Sequence, residues 1–405
     1  MNQQVPVPDG LPMNRDAGPF DPPREITRLR AARPVSPMHF PDGHEGWLVT
    51  GYEAVRTLMA DTRFSSRQDL GIVHVPYETP GMPAATEPSP QLPGLFIAMD
   101  PPDHTRLRRK LIGAFTVRRM KQLEDHIIEI TERQLDELAR LTPPVDLVEH
   151  FALPVPSLVI CELLGVPYAD RKTFQVNSTQ FLVKDQTLEE KMAAFGAMNA
   201  YLAELVIGKR AEPGDDLLSD LARQDDLTIE ELVGIAFLLL LAGHETTANM
   251  LSLGTFALLE HPDQLAALRA DPELMPDAVE ELMRYLSVAD IFYRYATDDI
   301  ELGGETIPKG STVVVSLLAA NRDPQRFENP DALDIHRKAR GHLSFGHGIH
   351  QCLGQQLARI EMRAGFNGLI RRFPTLALAI PAAEVKLRTD MNIYGVHELP
   401  VTWDS

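Results

Sequence analysis

The segment from Thr228 to about Glu260 constrains the fold of this chain more than any other part of its sequence. Thr228 and Glu231 have the spacing of a capping box, which marks the start of a helix. About 32 helical residues would extend roughly 48 Å. The stretch LVGIAFLLLLAG within the segment is apolar on nearly every side. We therefore predict a long helix that crosses the interior of the protein.

Composition excludes several classes of protein. Of 405 residues, 44% are hydrophobic and 24% charged, which is ordinary for a soluble globular protein. The longest apolar run, Leu232 to Gly243, is shorter than the roughly 20 residues that a membrane-spanning helix needs. The N-terminus has neither a basic start nor an apolar stretch, so we expect a cytoplasmic protein without a membrane anchor. A net charge of −18 disfavours nucleic acid and anionic membranes as partners.

Most of the remaining chain also has helical spacing. Further helices are predicted over His104–Arg140, Pro276–Tyr285 and Leu353–Arg371. Strands are predicted at residues 46–50 and 311–317, with a hairpin over 300–310 and an extended part over 384–402. The predicted fold class is therefore mainly α with small peripheral β-sheets.

Proline is dense in two stretches and prevents long regular helices there. Residues 1–40 are expected to wrap the surface. Residues 74–103 are interpreted as a lid or substrate loop, because long loops inside compact domains are usually functional or mobile. A solvated surface loop is the alternative interpretation.

The strongest chemical signal surrounds Cys352, in the decapeptide FGHGIHQCLG at residues 345–354. The cysteine directly precedes an amphipathic helix, whose N-terminal N–H groups and dipole would stabilise a thiolate. Phe345 could exclude water from the sulfur, and three glycines would let a flat ligand approach the backbone: Gly346, Gly348 and Gly354. A thiolate in such a loop suits the iron of a haem. The alternative is a small buried cysteine, which is what we expect of Cys161, the other cysteine of the chain.

This decapeptide resembles the haem-ligand loop of the cytochromes P450, the haem-thiolate monooxygenases, and matches each of its defining positions. Three further stretches match in the family's order, so the resemblance extends from about Pro34 to Trp403. It implies one cytochrome P450 domain over residues 1–405, with 1–33 as a Pro-rich N-terminal segment, although length alone suggests two or three domains. It also implies haem b (iron protoporphyrin IX) as the cofactor and Cys352 as the metal ligand.

The second stretch is AGHETT at residues 242–247, midway along the long helix. An acid beside a hydroxyl is a minimal proton relay, and burying a glutamate without a role is costly. The Thr246 hydroxyl can bond to the Ala242 carbonyl and bend the helix, while Gly243 would open its surface to a ligand. By resemblance, Glu245 and Thr246 are the catalytic acid–alcohol pair, and Ala242 and Gly243 contact the cofactor. Alternatively, the threonines only satisfy their own helical turn.

The remaining matches imply structural and cofactor-binding roles. Glu281 and Arg284 lie three apart on one helical face and resemble the family's Glu-x-x-Arg pair, which braces the core behind the haem. The segment NRDP at 321–324 resembles a family segment that packs nearby. By resemblance, the haem propionates are bound by four cationic side chains: His104, Arg108, Arg294 and His350.

Basic residues cluster between His104 and Leu123, where seven lysines and arginines occur without an acid: Arg106, Arg108, Arg109, Lys110, Arg118, Arg119 and Lys121. The charge and the resemblance suggest a docking face for an acidic ferredoxin, which would carry electrons from a separate ferredoxin reductase to a monomeric enzyme. The alternative docking face is around Arg337, Lys338 and Arg340.

The resemblance implies a monooxygenase that uses O2 and two electrons to hydroxylate or epoxidise a fairly large hydrophobic molecule. The motifs are most similar to those of soluble actinobacterial members, which oxidise macrolides, polyenes, sterol-like compounds and xenobiotics. The expected substrate contacts are mostly apolar: Leu95, Ile97, Leu238, Leu239, Ala242, Val288, Ile291, Phe292, Ile393 and Tyr394. Asp290 could instead reach a polar substrate group or face solvent. The alternatives are a peroxide-driven or oxidative-coupling haem-thiolate enzyme and a non-catalytic haem-binding protein.

Overall fold

The computed structural model of the chain describes residues 7–71, 87–167, 170, 187–389 and 391–404. Helices dominate these residues, as the sequence predicts. Their bounds are α1 Arg24–Ala32, α2 Tyr52–Ala60, α3 Asp103–Ile112, α4 Val117–Ala139, α5 Pro154–Leu164, α6 Leu188–Ala211, α7 Leu217–Ala222, α8 Ile229–Glu260, α9 Pro262–Ala270, α10 Met275–Leu286, α11 Leu317–Asn321 and α12 Gln355–Arg372.

Helix α8 runs through the core, as predicted from its sequence. Its capping box is formed: the Glu231 N–H donates to Thr228 Oγ1 at 3.1 Å, and the Thr228 N–H donates to Glu231 Oε2 at 3.1 Å. The first half packs against α5 and α6, and the second half contributes Phe256 to a core shared with α10 and α12. By length and composition α8 could cross a membrane, but 67% of its apolar window is buried inside the protein. That burial is typical of a core helix.

The helical prediction over His104–Arg140 is confirmed except for one interruption. The chain forms α3 and α4, with a break at residues 113–116. The Thr116 hydroxyl accepts a hydrogen bond from the Arg119 N–H at 3.3 Å and caps α4. A threonine side chain that caps a new helix competes with continuation of the old one, and Gly113 before it is a poor helix former. The predictions for α10 and α12 are confirmed to within two residues.

The strands form small sheets at the periphery. Their bounds are β1 Val35–His39, β2 Glu45–Val49, β3 Phe64–Ser65, β4 Val145–Asp146, β5 Ile291–Ala296, β6 Ile300–Leu302, β7 Glu305–Ile307, β8 Thr312–Ser316, β9 Ala377–Leu378 and β10 Pro400–Thr402. The larger sheet has the order β1-β2-β8-β5-β3, in which only β2 and β8 are parallel. The other sheets are β4-β10-β9 and the predicted hairpin β6-β7, which turns at Gly303 and Gly304 with φ of 59° and 86°.

The Pro-rich and C-terminal stretches differ in part from expectation. The N-terminal stretch does not only wrap the surface, because Phe20 is buried and packs edge-on against Phe256 at 4.9 Å. Residues 74–86 of the predicted lid loop lie outside the described residues. Within 384–402 the described chain has one strand, β10, and an isolated bridge between Leu387 and Val396.

Candidate active site

The loop around Cys352 is shaped by backbone hydrogen bonds and two left-handed glycines. The Cys352 N–H donates to the Phe345 carbonyl at 2.8 Å. Gly346 and Gly348 have φ of 68° and 73°, a conformation that other residues rarely adopt. A side chain at Gly348 would also collide with the carbonyl of Met59 on α2. These glycines therefore build the turn and its packing, whereas a Cβ at Gly354 would meet nothing within 4 Å. The open space at Gly354 suits a flat ligand beside the cysteine.

Burial raises the pKa of the Cys352 thiol, and the Gly354 N–H, Arg108 and Arg359 oppose this shift only in part. The helix N-terminus that was predicted to stabilise a thiolate is therefore outweighed by burial. A metal ion bound to the sulfur would reverse this balance, since a coordinated thiol loses its proton outright.

Two histidines and two arginines meet near this loop without a carboxylate partner among the described residues. His104 is buried, neither of its ring nitrogens has a hydrogen-bond partner, and its ring lies 4.3 Å from that of His350. Arg108 donates to the Gln351 carbonyl, and Arg294 donates to the Tyr293 carbonyl at 2.7 Å. Buried donors of this kind are normally satisfied, so the cluster fits an anionic group of a ligand.

The pKa shifts in this cluster also indicate a site for an anionic group. Burial, with Arg294, His104 and Arg108 close by, lowers the pKa of His350 to about 3. Burial also lowers the pKa of Arg294 to about 10, against a weak opposing effect of Asp100. Asp100 raises the pKa of His104 and of Arg294, but its carboxylate is already bonded to the Ser65 hydroxyl and the Ser66 N–H. A bound carboxylate would pair with the two arginines and raise the pKa of the two histidines.

The middle of α8 presents one open stretch between buried flanks. Ala242 is exposed and Thr246 is partly exposed, while most of the helix is buried. The predicted bond is confirmed: the Thr246 hydroxyl donates to the Ala242 carbonyl at 2.8 Å. Gly243 does not open the helix in the expected direction, because a Cβ there would lie 3.0 Å from Ile160. Its missing side chain serves the close packing of α5 on α8.

Glu245 is fully buried beside Thr246 and forms an ion pair that the sequence did not suggest. Arg388 Nη1 donates to Glu245 Oε2 at 2.9 Å. Asn249 Nδ2 donates to the Glu245 carbonyl at 2.8 Å, and His244 Nδ1 lies 3.7 Å from Glu245 Oε1. A lone arginine in the C-terminal part gives no sequence signal of this contact, which only the fold creates.

Comparison with known proteins decides the family. The family model described as Cytochrome P450 matches residues 48–388. The chain belongs to the cytochrome P450 family. It is therefore a monooxygenase, an oxidoreductase whose family carries a haem-thiolate cofactor. The geometry around Cys352, with two arginines and two histidines beside it, fits that group.

Relatives of this cytochrome P450 are similar over nearly its whole length. Cytochrome P450 105C1 of a Streptomyces species is 51% identical, over 95% of this chain and 96% of the relative. Vitamin D3 dihydroxylase of Streptomyces griseolus is 46% identical, over 97% of this chain and 96% of the relative. The crystal structure of CYP105P1 in complex with filipin I has a TM-score of 0.91 and 45% identity, and covers 98% of this chain and 99% of that one.

The Glu-x-x-Arg pair of this cytochrome P450 is a buried brace. Arg284 Nε and Nη2 each donate to the Glu281 carboxylate at 2.8 Å, and Arg284 Nη1 donates to the Asn321 and Pro330 carbonyls at 2.9 and 2.8 Å. Arg337 Nε donates to the same carboxylate at 3.1 Å, although the charge pattern of the sequence suggested a docking role for this arginine. Arg337 is thus bound inside and unsuited to a docking face.

Hydrogen bonds connect this brace to the cysteine loop. The Asn321 side chain accepts from the Leu343 N–H at 2.7 Å and donates to the Ser344 hydroxyl at 2.9 Å. The Ser344 hydroxyl donates to the Met283 carbonyl at 2.6 Å. Because α10 and the NRDP segment hold the residues just before Phe345, the brace also positions the start of the cysteine loop.

A second ionic cluster supports the ring of Phe345. The Arg359 guanidinium lies 4.5 Å from the ring centroid, and Arg359 Nε and Nη2 donate to Glu280 at 2.5 and 3.0 Å. His342 Nε2 lies 3.1 Å from the same carboxylate. Burial by itself raises the pKa of Glu280, but the hydrogen bonds from His342 and Arg359 outweigh it and lower that pKa to about 2. Glu280 is therefore charged at neutral pH.

The expected substrate contacts fall into separate groups in the described part of the chain. Leu238 and Leu239 are buried on α8 and share a core with Leu95, whereas Ile97 is 47% exposed. A second group lines a cavity of about 50 Å³ beneath the N-terminal segment: Val288, Ile291 and Tyr394. Phe292 packs against the core at the larger sheet, and Ile393 against that around the second half of α8.

Two of the polar groups near that cavity have structural partners. The Tyr394 hydroxyl donates to the Pro19 carbonyl at 2.7 Å. Asp290 accepts from the Ser316 hydroxyl at 2.8 Å and from the Leu318 N–H at 2.7 Å. Asp290 is therefore held by the backbone and a hydroxyl of the protein itself, a structural contact that its sequence position did not indicate.

Only some of the seven basic residues between His104 and Leu123 are exposed without an acidic partner in the part of the chain that the structure describes. Arg106 pairs with Glu231, and Lys110 pairs with Asp226 at 2.6 Å. Arg108 turns inward to the cysteine loop. The exposed cations that remain are Arg109, Arg118, Arg119 and Lys121. A docking face in this region would therefore depend on these four side chains.

Proposed function

We propose that this cytochrome P450 inserts one oxygen atom of O2 into a fairly large hydrophobic small molecule, as a hydroxylation or an epoxidation. The observation that carries the proposal is Thr246, whose hydroxyl lies on the open stretch of α8 while the buried acid Glu245 precedes it. A positioned hydroxyl and a neighbouring acid can hold and move protons at the site. A haem carrier needs neither, and this distinguishes the proposal from a non-catalytic haem-binding protein.

The residues present would hold haem b. Cys352 would be the iron ligand, with Phe345 and the loop glycines beside it. Arg108 and Arg294, with His104 and His350 as hydrogen-bond donors, would bind the two propionates, because arginine binds carboxylates in a bidentate manner. When bound, the haem supplies activation of dioxygen. The protein contributes the thiolate environment, the proton path through Thr246 and the exclusion of water by the apolar side chains of α8.

The proposed substrate is apolar and fairly large. Leu238, Leu239 and Leu95 lie in one apolar cluster, which suits a hydrophobic ligand. One relative is named for dihydroxylation of vitamin D3, and another was crystallised with filipin I. Both names support a sterol-like or polyene substrate class, within secondary metabolism or the oxidation of foreign compounds.

We further infer that the enzyme acts as a cytoplasmic monomer and receives electrons from a ferredoxin and its reductase. The four exposed cations on α4 and at the end of α3 support an acidic partner, since the rest of the chain is strongly acidic. Complementary charge at such a rim acts mainly on the rate of association.

The test begins with the carbon monoxide spectrum of the reduced protein. The thiolate-specific red-shifted band should appear in the wild type and disappear in Cys352→Ser, because the donation of electrons by sulfur is lost. Vitamin D3 and filipin I are then titrated, and products are sought with a ferredoxin and its reductase, or with hydrogen peroxide alone. Product that requires the electron donors supports the monooxygenase. Product from peroxide alone would favour the peroxide-driven alternative, and a band without any turnover would favour the carrier.

A further inference from the structure

Arg388 controls where the Glu245 carboxylate lies. Arg388 Nη1 donates to Glu245 Oε2 at 2.9 Å and to Asn249 Oδ1 at 3.3 Å. Arg388 is 5% exposed and Glu245 is fully buried. A charge-assisted bond in such a water-excluded place is strong, and removal of one partner leaves a buried charge unpaired. The resting position of the acid is thus set by Arg388 rather than by its neighbour Thr246.

The backbone brings Arg388 to α8 by a close approach that needs a glycine. The Arg388 N–H donates to the Gly395 carbonyl at 2.9 Å, next to the bridge between Leu387 and Val396. A side chain at Gly395 would collide with the Asn249 amide oxygen. Since only a hydrogen fits there, the C-terminal segment can lie against α8 and present Arg388 to Glu245.

The acid and the alcohol occupy different faces of α8. Glu245 and Asn249 are four apart and share the face that is covered by the C-terminal segment. Ala242 and Thr246 are also four apart and share the more open face.

Two further titratable groups lie on or against this part of α8. His244 lies beside Glu245 on the same helix, and Glu361 of α12 contacts Thr247. Burial lowers the pKa of His244 and raises that of Glu361, which favours the neutral form of each. Arg388 is the charged group that is bonded directly to the Glu245 carboxylate.

Behind Arg388 lies the cavity of about 50 Å³ that the N-terminal segment covers. Its lining includes Arg388, Arg15, Asp290 and Ser316. A water molecule needs roughly 10–15 Å³ of such space and two or more polar partners, and this cavity offers both. Arg388 Nε has no hydrogen-bond partner within the described part of the chain, which leaves a donor for water. Arg388 therefore lies between a polar cavity and the acid of the proton relay.

We propose that Arg388 is a positioning residue for proton delivery, an inference that rests on the proposed function. It holds Glu245 as a carboxylate on the covered face of α8, while Arg388 itself lines the cavity. A hydronium ion from the cavity gives up a proton to the carboxylate and becomes water. The resulting carboxylic acid releases that proton to a water molecule on the Thr246 side. Glu245 then returns to Arg388 as a carboxylate, and no electron is transferred in the step.

The test compares Arg388→Gln, Arg388→Lys and the control Lys386→Gln in the haem-loaded protein. Lys386 lies on the same segment, but its ammonium pairs with Glu398 at the surface. Vitamin D3 is the added probe, and NADPH oxidised, hydrogen peroxide released and the rate in heavy water are measured with a ferredoxin and its reductase. None of these readouts requires oxidation of the probe itself.

Arg388→Gln should raise the peroxide released per NADPH at least about threefold and enlarge the solvent isotope effect, because proton delivery becomes slower. Arg388→Lys should restore most of the loss, and Lys386→Gln should match the wild type. In a Glu245→Gln background, Arg388→Gln should change nothing further, since Arg388 acts through that acid.

An Arg388→Gln protein with an intact carbon monoxide band and a wild-type peroxide fraction would overturn the inference. If Arg388→Gln does not fold, the Glu245→Gln variant provides the test. A wild-type peroxide fraction in Glu245→Gln would overturn the inference. A raised peroxide fraction in Glu245→Gln, together with near-wild-type behaviour of Arg388→Lys, would support the inference. Absence of the carbon monoxide band from the wild type would instead refute the proposed function.

Discussion

The chain contains two Glu-Leu-x-Arg motifs, and Arg→Met substitutions in them should differ sharply in stability. In Glu281–Arg284 both side chains are fully buried, whereas in Glu137–Arg140 they are 63% and 69% exposed. Removing one partner of a buried pair costs about 3–5 kcal/mol, because the remaining charge loses its compensation. In Arg284→Met the Glu281 carboxylate keeps, within the described part of the chain, only the ion pair with Arg337 at 3.1 Å. Arg284→Met also leaves the Asn321 and Pro330 carbonyls without a donor, so the cost should lie in the upper part of that range.

The expected change in melting temperature follows from the size of the chain. An unfolding entropy of about 2.1 cal/mol/K per residue amounts to roughly 0.85 kcal/mol/K for a chain of this length. A loss of about 4–5 kcal/mol should therefore lower Tm by roughly 5–6 °C. Arg140→Met removes an exposed pair at the same spacing, and its Tm should change by less than about 1 °C.

Thermal unfolding followed by circular dichroism measures both variants, with the carbon monoxide band as a second reading. Arg284→Met should also lose part of that band, since the brace holds the start of the cysteine loop through Asn321. Equal melting temperatures for Arg284→Met and Arg140→Met would refute the reasoning, because burial would then not distinguish the two pairs.

Three further outcomes are expected. Thr246→Ala should keep substrate-induced spectral shifts but raise hydrogen peroxide per NADPH by at least about threefold, as the relay loses its hydroxyl; unchanged coupling would show that the hydroxyl only satisfies its helix. Reversing Arg109, Arg119 and Lys121 to Glu should slow reduction by ferredoxin about tenfold at low salt, and high salt should shrink the difference, since the Debye length is only about 8 Å at physiological ionic strength; equal rates in stopped flow would place the docking face elsewhere. Glu280 has a pKa lowered from 4.5 to about 2, so its stabilising effect is full above 4.5 and is lost as the pH falls toward 2. The difference in unfolding free energy between the wild type and Glu280→Gln should therefore shrink over that interval in acid titrations, and a constant difference would contradict the assigned ion pairs.

Much of the fold could be predicted where the signal is local. The capping box of α8, the apolar run behind it and the Gly-Gly hairpin turn each depend on residues within a few positions of one another. The break between α3 and α4 was missed, although Thr116 is also a local signal, because helical spacing on both sides concealed it. The bond between the Thr246 hydroxyl and the Ala242 carbonyl was predictable because the two residues lie one helical turn apart in the sequence.

Contacts between distant segments could not be predicted in this way. The partner of Glu245 is Arg388, 143 residues away, and the third member of the Glu281–Arg284 brace is Arg337. In the sequence Arg337 is one of three cations close together, which suggested a docking face. Its role depends on which side of that segment faces the protein interior. The order of charges along the sequence does not show this.

The sequence by itself determined the chemistry that this protein can perform: a cysteine in a glycine-rich loop before a helix, and an acid beside an alcohol in an apolar helix. The tertiary structure decided which charges matter. The motifs at Glu137–Arg140 and Glu281–Arg284 have the same spacing and nearly the same letters, yet one pair lies in water and the other in the core. The physical reason is desolvation. An ion pair in water contributes little to stability, whereas breaking an ion pair in the core leaves a buried charge unpaired. The packing of the whole chain decides which pairs are buried.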